Sequence, residues 1–290
     1  MCLKKGMEIN MQIAVASGKG GTGKTLVSTC LLRILGDENS ALIDTDVEEP
    51  NAGLVLMASA PETADVSRLV PEIDYNYCNF CGRCAEVCNF NALLVLNEKV
   101  LLFHELCHSC GACAYLCPLA AIKETEHPIG VIEEAHLPEH GRVLTGRLNI
   151  GEAQSPPLIK AVKKQGERAA LRIIDCPPGT TCAMIESIRD SDYCLLVTEP
   201  TPFGLHDLEL SLEAMEMLGI PGGLVINRWR GEDGELAALS GQTGVPILGR
   251  IPFSVEPAQA YMQGRDPLEA MPVLRDILSD VFRQIKGALS

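Results

Sequence analysis

Apolar residues in this chain fall into short runs with the rhythm of a layered α/β fold. Gln12–Ala16 (QIAVA) is almost continuously apolar, the pattern of a strand buried on both faces. After a glycine-rich break, Leu26, Cys30, Leu31, Ile34 and Leu35 recur at helical spacing. Further buried strands are predicted over Ala41–Asp46, which ends in two aspartates, and over Leu171–Ile174, Tyr193–Thr198, Gly223–Ile226 and Val245–Ile251. One amphipathic helix turns Leu205, Leu208, Leu212, Met215 and Leu218 inward, and a last one spans Val273–Leu289 with Leu274, Ile277, Leu278, Phe282 and Ile285 on one face. Buried strands alternating with helices predict a mostly parallel sheet with helices on both faces. From about Pro71 to Lys123 the rhythm breaks.

The break contains eight of the thirteen cysteines. They form two copies of C-x-x-C-x-x-C-x-x-x-C, Cys78, Cys81, Cys84, Cys88 and then Cys107, Cys110, Cys113, Cys117, offset by 29 residues at every position. Two-residue gaps wrap the chain closely around a metal centre. Zinc takes four tetrahedral ligands, usually as two separated C-x-x-C pairs, and fits three successive gaps less well than a cubane does. The pattern resembles bacterial two-cluster ferredoxins, in which the fourth cysteine ligates the other cluster. That resemblance implies two [4Fe–4S] clusters, the first on Cys78, Cys81, Cys84 and Cys117, the second on Cys107, Cys110, Cys113 and Cys88. Gly82 and Gly111 sit at equivalent places, where backbone passes close to sulfur. Cys117 is followed by Pro118 as the pattern wants, whereas Cys88 is followed by Asn89, which leaves the local turn open without removing a ligand.

The strand at Gln12–Ala16 runs into Gly18-Lys19-Gly20-Gly21-Thr22-Gly23-Lys24-Thr25, and a helix follows. Strand, glycine-rich loop and helix form the context in which G-x-x-x-x-G-K-[ST] is a phosphate site. Backbone N–H groups and the positive end of the helix converge on the phosphates. Lys24 is expected to neutralise the β- and γ-phosphates, and the Thr25 hydroxyl to coordinate Mg²⁺. The extra lysine, Lys19, makes the loop resemble the deviant Walker A ATPases, the MinD, ParA and Mrp group, with the nitrogenase iron protein as a redox relative. The resemblance implies a nucleotide-sandwich dimer, of two copies or with a similar ATPase, in which Lys19 reaches the partner's phosphates. It implies that Asp44 and Asp46 form switch I, with Asp46 orienting the attacking water and Asp44 supporting the metal. It implies that Asp175-Cys176-Pro177-Pro178-Gly179 is switch II, with Asp175 holding Mg²⁺. Asn227 and Arg228, and Pro252 after the next strand, are the expected adenine contacts.

The other cysteines, Cys2, Cys30, Cys176, Cys182 and Cys194, lack cluster spacing, and Cys30 and Cys194 read as core residues. Net charge is −14, which disfavours nucleic acid as a partner. No apolar run approaches the roughly 20 residues of a membrane span. Met1–Asn10 reads as a polar leader without signal-peptide features, with Met7 or Met11 an equally good start, so a cytoplasmic protein is expected. The last helix mixes Asp276 and Asp280 with its basic residues, so it is expected to pack on the sheet rather than bind a membrane.

The expected organisation is a P-loop ATPase domain over residues 11–70 and 124–290, interrupted at 71–123 by a small α+β ferredoxin domain. The interruption falls between the two segments that sense the γ-phosphate. The expected activity is ATP hydrolysis coupled to electron transfer with a redox partner. The alternative is an iron–sulfur assembly or carrier ATPase of the Mrp type, with an iron–sulfur client.

Overall fold

The central strands alternate residue by residue between two apolar layers. In β1 (Met11–Ala16), Ile13 and Val15 enter one layer while Ala14 and Ala16 enter the other, all fully buried. Short strands buried on both faces are what parallel pairing requires. A computed structural model describes residues 10–56, 58 and 61–290 of the chain. The expected leader, except Asn10, and Cys2 lie outside the described residues.

Helix α1 (Lys24–Leu35), β2 (Ser40–Asp44) and the short α2 (Ala52–Val55) follow β1. The long β3 (Glu62–Ile73) leads to a small unit of α3 (Arg83–Glu86), the hairpin β4 (Leu93–Leu96) and β5 (Lys99–Leu102), and α4 (Ala112–Tyr115). The chain returns along β6 (Ile122–Leu137) into β7 (Gly141–Leu148), α5 (Pro156–Gly166), β8 (Leu171–Asp175), α6 (Cys182–Ile188) and β9 (Tyr193–Thr198). It ends with α7 (Pro202–Met217), β10 (Gly222–Trp229), α8 (Gly234–Thr243), β11 (Ile247–Pro252), α9 (Glu256–Met262), α10 (Pro267–Ala270) and α11 (Val273–Ala288).

Nine strands form one sheet in the order β11-β10-β9-β1-β8-β2-β7-β6-β3. Pairing is parallel from β11 to β7 and antiparallel for β7–β6 and β6–β3. One layer holds α1 and α11, whose Leu274, Leu278, Val281 and Ile285 are buried, as the sequence led one to expect. The other holds α5, α6, α7 and α8. Among the described residues no helix is long and apolar enough to cross a membrane.

Strands β3 and β6 were not expected. They pair from Glu62↔Glu134 to Ile73↔Ile122 and so run across both 70/71 and 123/124. Over Gly130–Leu137, β6 also pairs with β7, so its second half belongs to the main sheet. Its first half and the second half of β3 extend outward as a two-stranded ribbon that carries the cysteine-rich unit. At about 3.3 Å per residue, the 16 residues of β6 span about 50 Å. Both strands carry many charged and polar residues and are half solvated, so neither shows the apolar run that marks the inner strands.

Ile129 lies on β6 where ribbon meets sheet, is fully buried, and packs in the layer of α5. Ile129→Ala should lower stability by about 2–5 kcal/mol in urea denaturation. A loss under about 0.5 kcal/mol would show that the ribbon is not anchored there.

Candidate functional site

A cleft opens at the carboxyl ends of the parallel strands and is lined by Gly20, Gly21, Gly23, Lys24, Thr25, Asp46, Asn227, Arg228 and Pro252. That end of an open α/β sheet is where ligands bind. The loop between β1 and α1 is held from inside the protein. Gly23 has φ +96°, in the left-handed region, and a Cβ there would collide with the side chain of Asn227. Asn227 Nδ2 donates to the Thr22 carbonyl at 2.7 Å, and its Oδ1 accepts from the Arg228 N–H at 2.9 Å. The amide expected at a purine edge therefore clamps the glycine-rich loop.

Lys24 is 7% exposed, and its Nζ donates to Ser17 Oγ at 2.9 Å. Burial lowers its pKa, opposed by Asp175, Cys176 and Asp46. Asp175 is buried at the end of β8, and its Oδ1 has no hydrogen-bond partner. Burial raises its pKa, against the Thr25 hydroxyl and Lys24, which favour the carboxylate. An orphaned carboxylate oxygen beside a lysine and a P-loop threonine fits a hard cation that takes oxygen ligands. Asp46 lines the cleft, with its pKa raised by burial and lowered again by Lys24.

Asp44 plays a different part. It is fully buried, Oδ1 accepts from the Asp46 N–H at 3.1 Å, and Oδ2 accepts from Asn51 and Ala52 N–H at 2.9 Å each. These bonds fold the loop after β2 into its shape. Thr45 joins that loop to the end of β8, donating to the Asp175 carbonyl through N–H at 2.9 Å and Oγ1 at 2.8 Å.

Lys19 is folded back onto its own chain. Its Nζ lies 3.6 Å from Glu199 Oε2 and 3.5 Å from Thr201 Oγ1. Glu199 also pairs with Arg228 at 2.7 Å. Away from the phosphate loop the cleft is apolar, walled by Leu26, Ile251, Pro257, Met262 and Met271, with Tyr261 among them. Sequence reading did not find this wall, because α9 and Met271 reach the cleft only through the packing of the last two helices.

The cysteines ring two further cavities. The first is lined by Cys78, Cys81, Cys84 and Cys117. The second is lined by Cys88, Cys107, Cys110 and Cys113. Each takes three cysteines from one repeat and the fourth from the other. The 29-residue offset survives in three dimensions. Left-handed φ values recur in pairs at Phe80 and Ser109, Gly82 and Gly111, and Asn91 and Ala120, and helices α3 and α4 occupy matching places. Ala92 N–H donates to Cys88 Sγ and Ala121 N–H to Cys117 Sγ, both at 3.3 Å. The turn after Cys88 is thus the same as that after Cys117, despite Asn89 in place of proline. These backbone N–H groups hold the two sulfurs in matching positions. Among the described residues no group of three or more His, Cys, Asp or Glu side chains forms a site for a single metal ion. Cys30, Cys176 and Cys194 are buried away from the cavities, and Cys182 is exposed.

Residues 13–268 match the family described as the CobQ/CobB/MinD/ParA nucleotide binding domain. An uncharacterized protein of Methanocaldococcus jannaschii is 34% identical over 227 residues, 76% of this chain and 80% of its own length. An iron–sulfur cluster carrier protein of the same organism is 31% identical over 110 residues, 32% of this chain and 37% of its own. Among solved structures, the cell division ATPase MinD of Pyrococcus furiosus superposes with a TM-score of 0.59 at 19% identity, covering 95% of this chain and 99% of that one. The septum site-determining protein MinD of Pyrococcus horikoshii, complexed with Mg-ADP, gives 0.55 at 18% identity, covering 97% and 98%. At these identities the structural likeness concerns the fold.

Asp44→Ala removes the acceptor of three backbone N–H groups in a buried loop. It should lower stability by about 1–3 kcal/mol in denaturant titration. An unchanged midpoint would mean that water satisfies those groups and that the loop does not depend on the carboxylate.

Proposed function

The chain belongs to the CobQ/CobB/MinD/ParA nucleotide-binding family, and from that premise we propose that it is a Mg²⁺-dependent ATPase that carries two [4Fe–4S] clusters and gates electron transfer to a redox partner. The observation that carries the redox half is the pair of four-cysteine cavities, interleaved between repeats and mounted on strands continuous with the nucleotide sheet. Four thiolates per cavity match what a cubane takes, and such a cluster supplies one-electron chemistry. In this reading residues 71–123 form the inserted ferredoxin domain and residues 11–70 and 124–290 the ATPase domain.

The residues of the cleft divide the work. The backbone of Gly18–Thr25 cradles the phosphates, and Lys24, already turned by Ser17, neutralises them. Thr25 and the unpartnered Oδ1 of Asp175 hold Mg²⁺. Asp46 faces the cleft and orients the attacking water. Asn227 fixes the loop and, with Arg228, Pro252 and the apolar wall around Tyr261, receives the base. Lys19 leaves Glu199 to meet the phosphates of a second subunit, identical or similar, when the dimer closes. The chain works in the cytoplasm, without nucleic acid as partner.

The segments around Asp46 and Asp175 lie before and after the insert in sequence, and Thr45 ties them together. A change at the γ-phosphate position therefore reaches the strands that lead to the cysteines, as in other nucleotide switches. The second reading, a cluster carrier with an iron–sulfur client, is favoured by the stretch shared with a cluster carrier protein. Four cysteines per cavity favour resident cofactors, which should resist chelators that strip a cargo cluster.

The test is anaerobic reconstitution followed by ATPase assay with clusters reduced and oxidised. Two cubanes' worth of iron and sulfide, and a rate that differs between redox states in the presence of a partner, are expected. Lys24→Ala should lose nucleotide binding and keep the brown colour. Absence of cubane iron, or equal rates in both states with every candidate partner, would contradict the proposal.

A further inference from the structure

The pseudo-twofold symmetry of the insert is broken on one side. Cys107 is buried, whereas its equivalent, Cys78, is half-buried. Ala92 and Leu102 of the insert pack on Cys107, and further cover comes from outside it. Arg68, on β3, is 5% exposed; its Nη1 donates to the Cys107 carbonyl at 2.6 Å and its Nη2 to the His104 carbonyl at 2.8 Å. The same guanidinium pairs at 3.3 Å with Glu152, whose side chain is also buried. Two residues on, Gln154 Nε2 donates to the carbonyls of Cys107 at 3.0 Å and Glu105 at 3.2 Å. Its N–H donates to Glu152 Oε1 at 3.2 Å, so the three side chains form one connected group.

Glu152 and Gln154 immediately precede α5. This helix is 11 residues long, about 16 Å at 1.5 Å per residue. Toward its other end, Lys163 Nζ donates to the carbonyls of Glu186, Ser187 and Arg189 at 2.9, 3.0 and 2.6 Å. Those carbonyls close the C-terminal end of α6, the helix that follows Asp175–Thr180. Gly179 N–H in turn donates to the Ser17 carbonyl at 3.1 Å, beside the phosphate loop. Hydrogen bonds joined by short covalent segments, 179–182 and 154–156, thus lead from the phosphate loop through α6 and α5 to the backbone of one cysteine.

We infer that Arg68, Glu152 and Gln154 are positioning residues through which nucleotide state reaches the second cysteine cavity and not the first. The inference rests on the proposed cluster content. A carbonyl held by a guanidinium and an amide fixes where the Cys107 sulfur sits and which backbone dipoles face it. Hydrogen bonding and solvent exposure around the sulfurs set the potential of an iron–sulfur centre. A shift of α5 would change both at the second cavity, while the first cavity rides on the far side of the pseudo-twofold.

The measurement is an EPR-monitored redox titration of the reconstituted full chain, without nucleotide, with Mg²⁺–ADP, and with a non-hydrolysable Mg²⁺–ATP analogue. Cys81→Ser, which removes a ligand of the first cavity, assigns the signals. The midpoint potential of the second cluster should shift with nucleotide and that of the first should stay. Gln154→Ala and Arg68→Lys, in which a single ammonium replaces a forked guanidinium, should abolish the shift while nucleotide affinity changes less than threefold. Equal shifts of both clusters, no shift in either, or a full shift surviving in Gln154→Ala would overturn the inference. If Arg68→Lys does not fold, the wild-type titration and Gln154→Ala decide it. A chain that assembles no cubane would instead refute the functional reading on which the inference stands.

Discussion

Strand β6 is hydrogen-bonded on both sides, to β7 in the main sheet and to β3 in the ribbon. Everything else in the relation between the two halves of the molecule follows from that double pairing. A module joined by two flexible linkers would tumble freely, and its cofactors would not feel the state of the nucleotide site. A module carried on paired strands cannot rotate without breaking ladder hydrogen bonds. The cysteine-rich unit is therefore carried by the sheet itself, and Arg68, Glu152 and Gln154 add a second link on the Cys107 side.

The cleft shows the complementary economy of buried charge. Lys24, Asp44 and Asp175 are nearly or fully out of solvent, and burial moves each pKa toward the neutral form. Asp44 is satisfied by three backbone N–H groups, and Lys24 leans on Ser17. Asp175 alone of the three keeps an oxygen without a partner. A buried carboxylate oxygen left free is costly unless something binds it, which is the physical reason to read it as the cation position. Glu199, holding both Lys19 and Arg228, keeps two positive charges at the rim of the cleft.

Much of this was legible in the sequence, for identifiable reasons. The inner strands and α1, α7 and α11 announce themselves because burial on both faces, or on one helical face, leaves a periodic apolar signature. The phosphate loop and the cysteine repeat are legible because their chemistry demands fixed spacing. The interleaving of Cys117 with the first repeat and Cys88 with the second follows the bacterial pattern, and both cavities are lined in that way. What escaped was held by partners distant in sequence. The strand signature of β3 and β6 is masked by the charged and polar residues on their solvated faces. Asn227 reads as a ligand contact at a strand end, but its further bond to the Thr22 carbonyl, 205 residues away, has no local signal. The pairing of Arg68 with Glu152 has no local signal at all, since each is an ordinary charged residue until the fold buries both.

The central claim is that hydrogen bonds joined by short covalent segments link the nucleotide cleft to the cysteine cavities. Hydrogen–deuterium exchange on the reconstituted protein, with and without Mg²⁺–nucleotide, tests it most directly. The account predicts altered protection in residues 149–155 and along the outer halves of β3 and β6, as well as around the phosphate loop. Changes confined to residues 17–25, 44–52 and 175–181, with the ribbon unaffected, would contradict it.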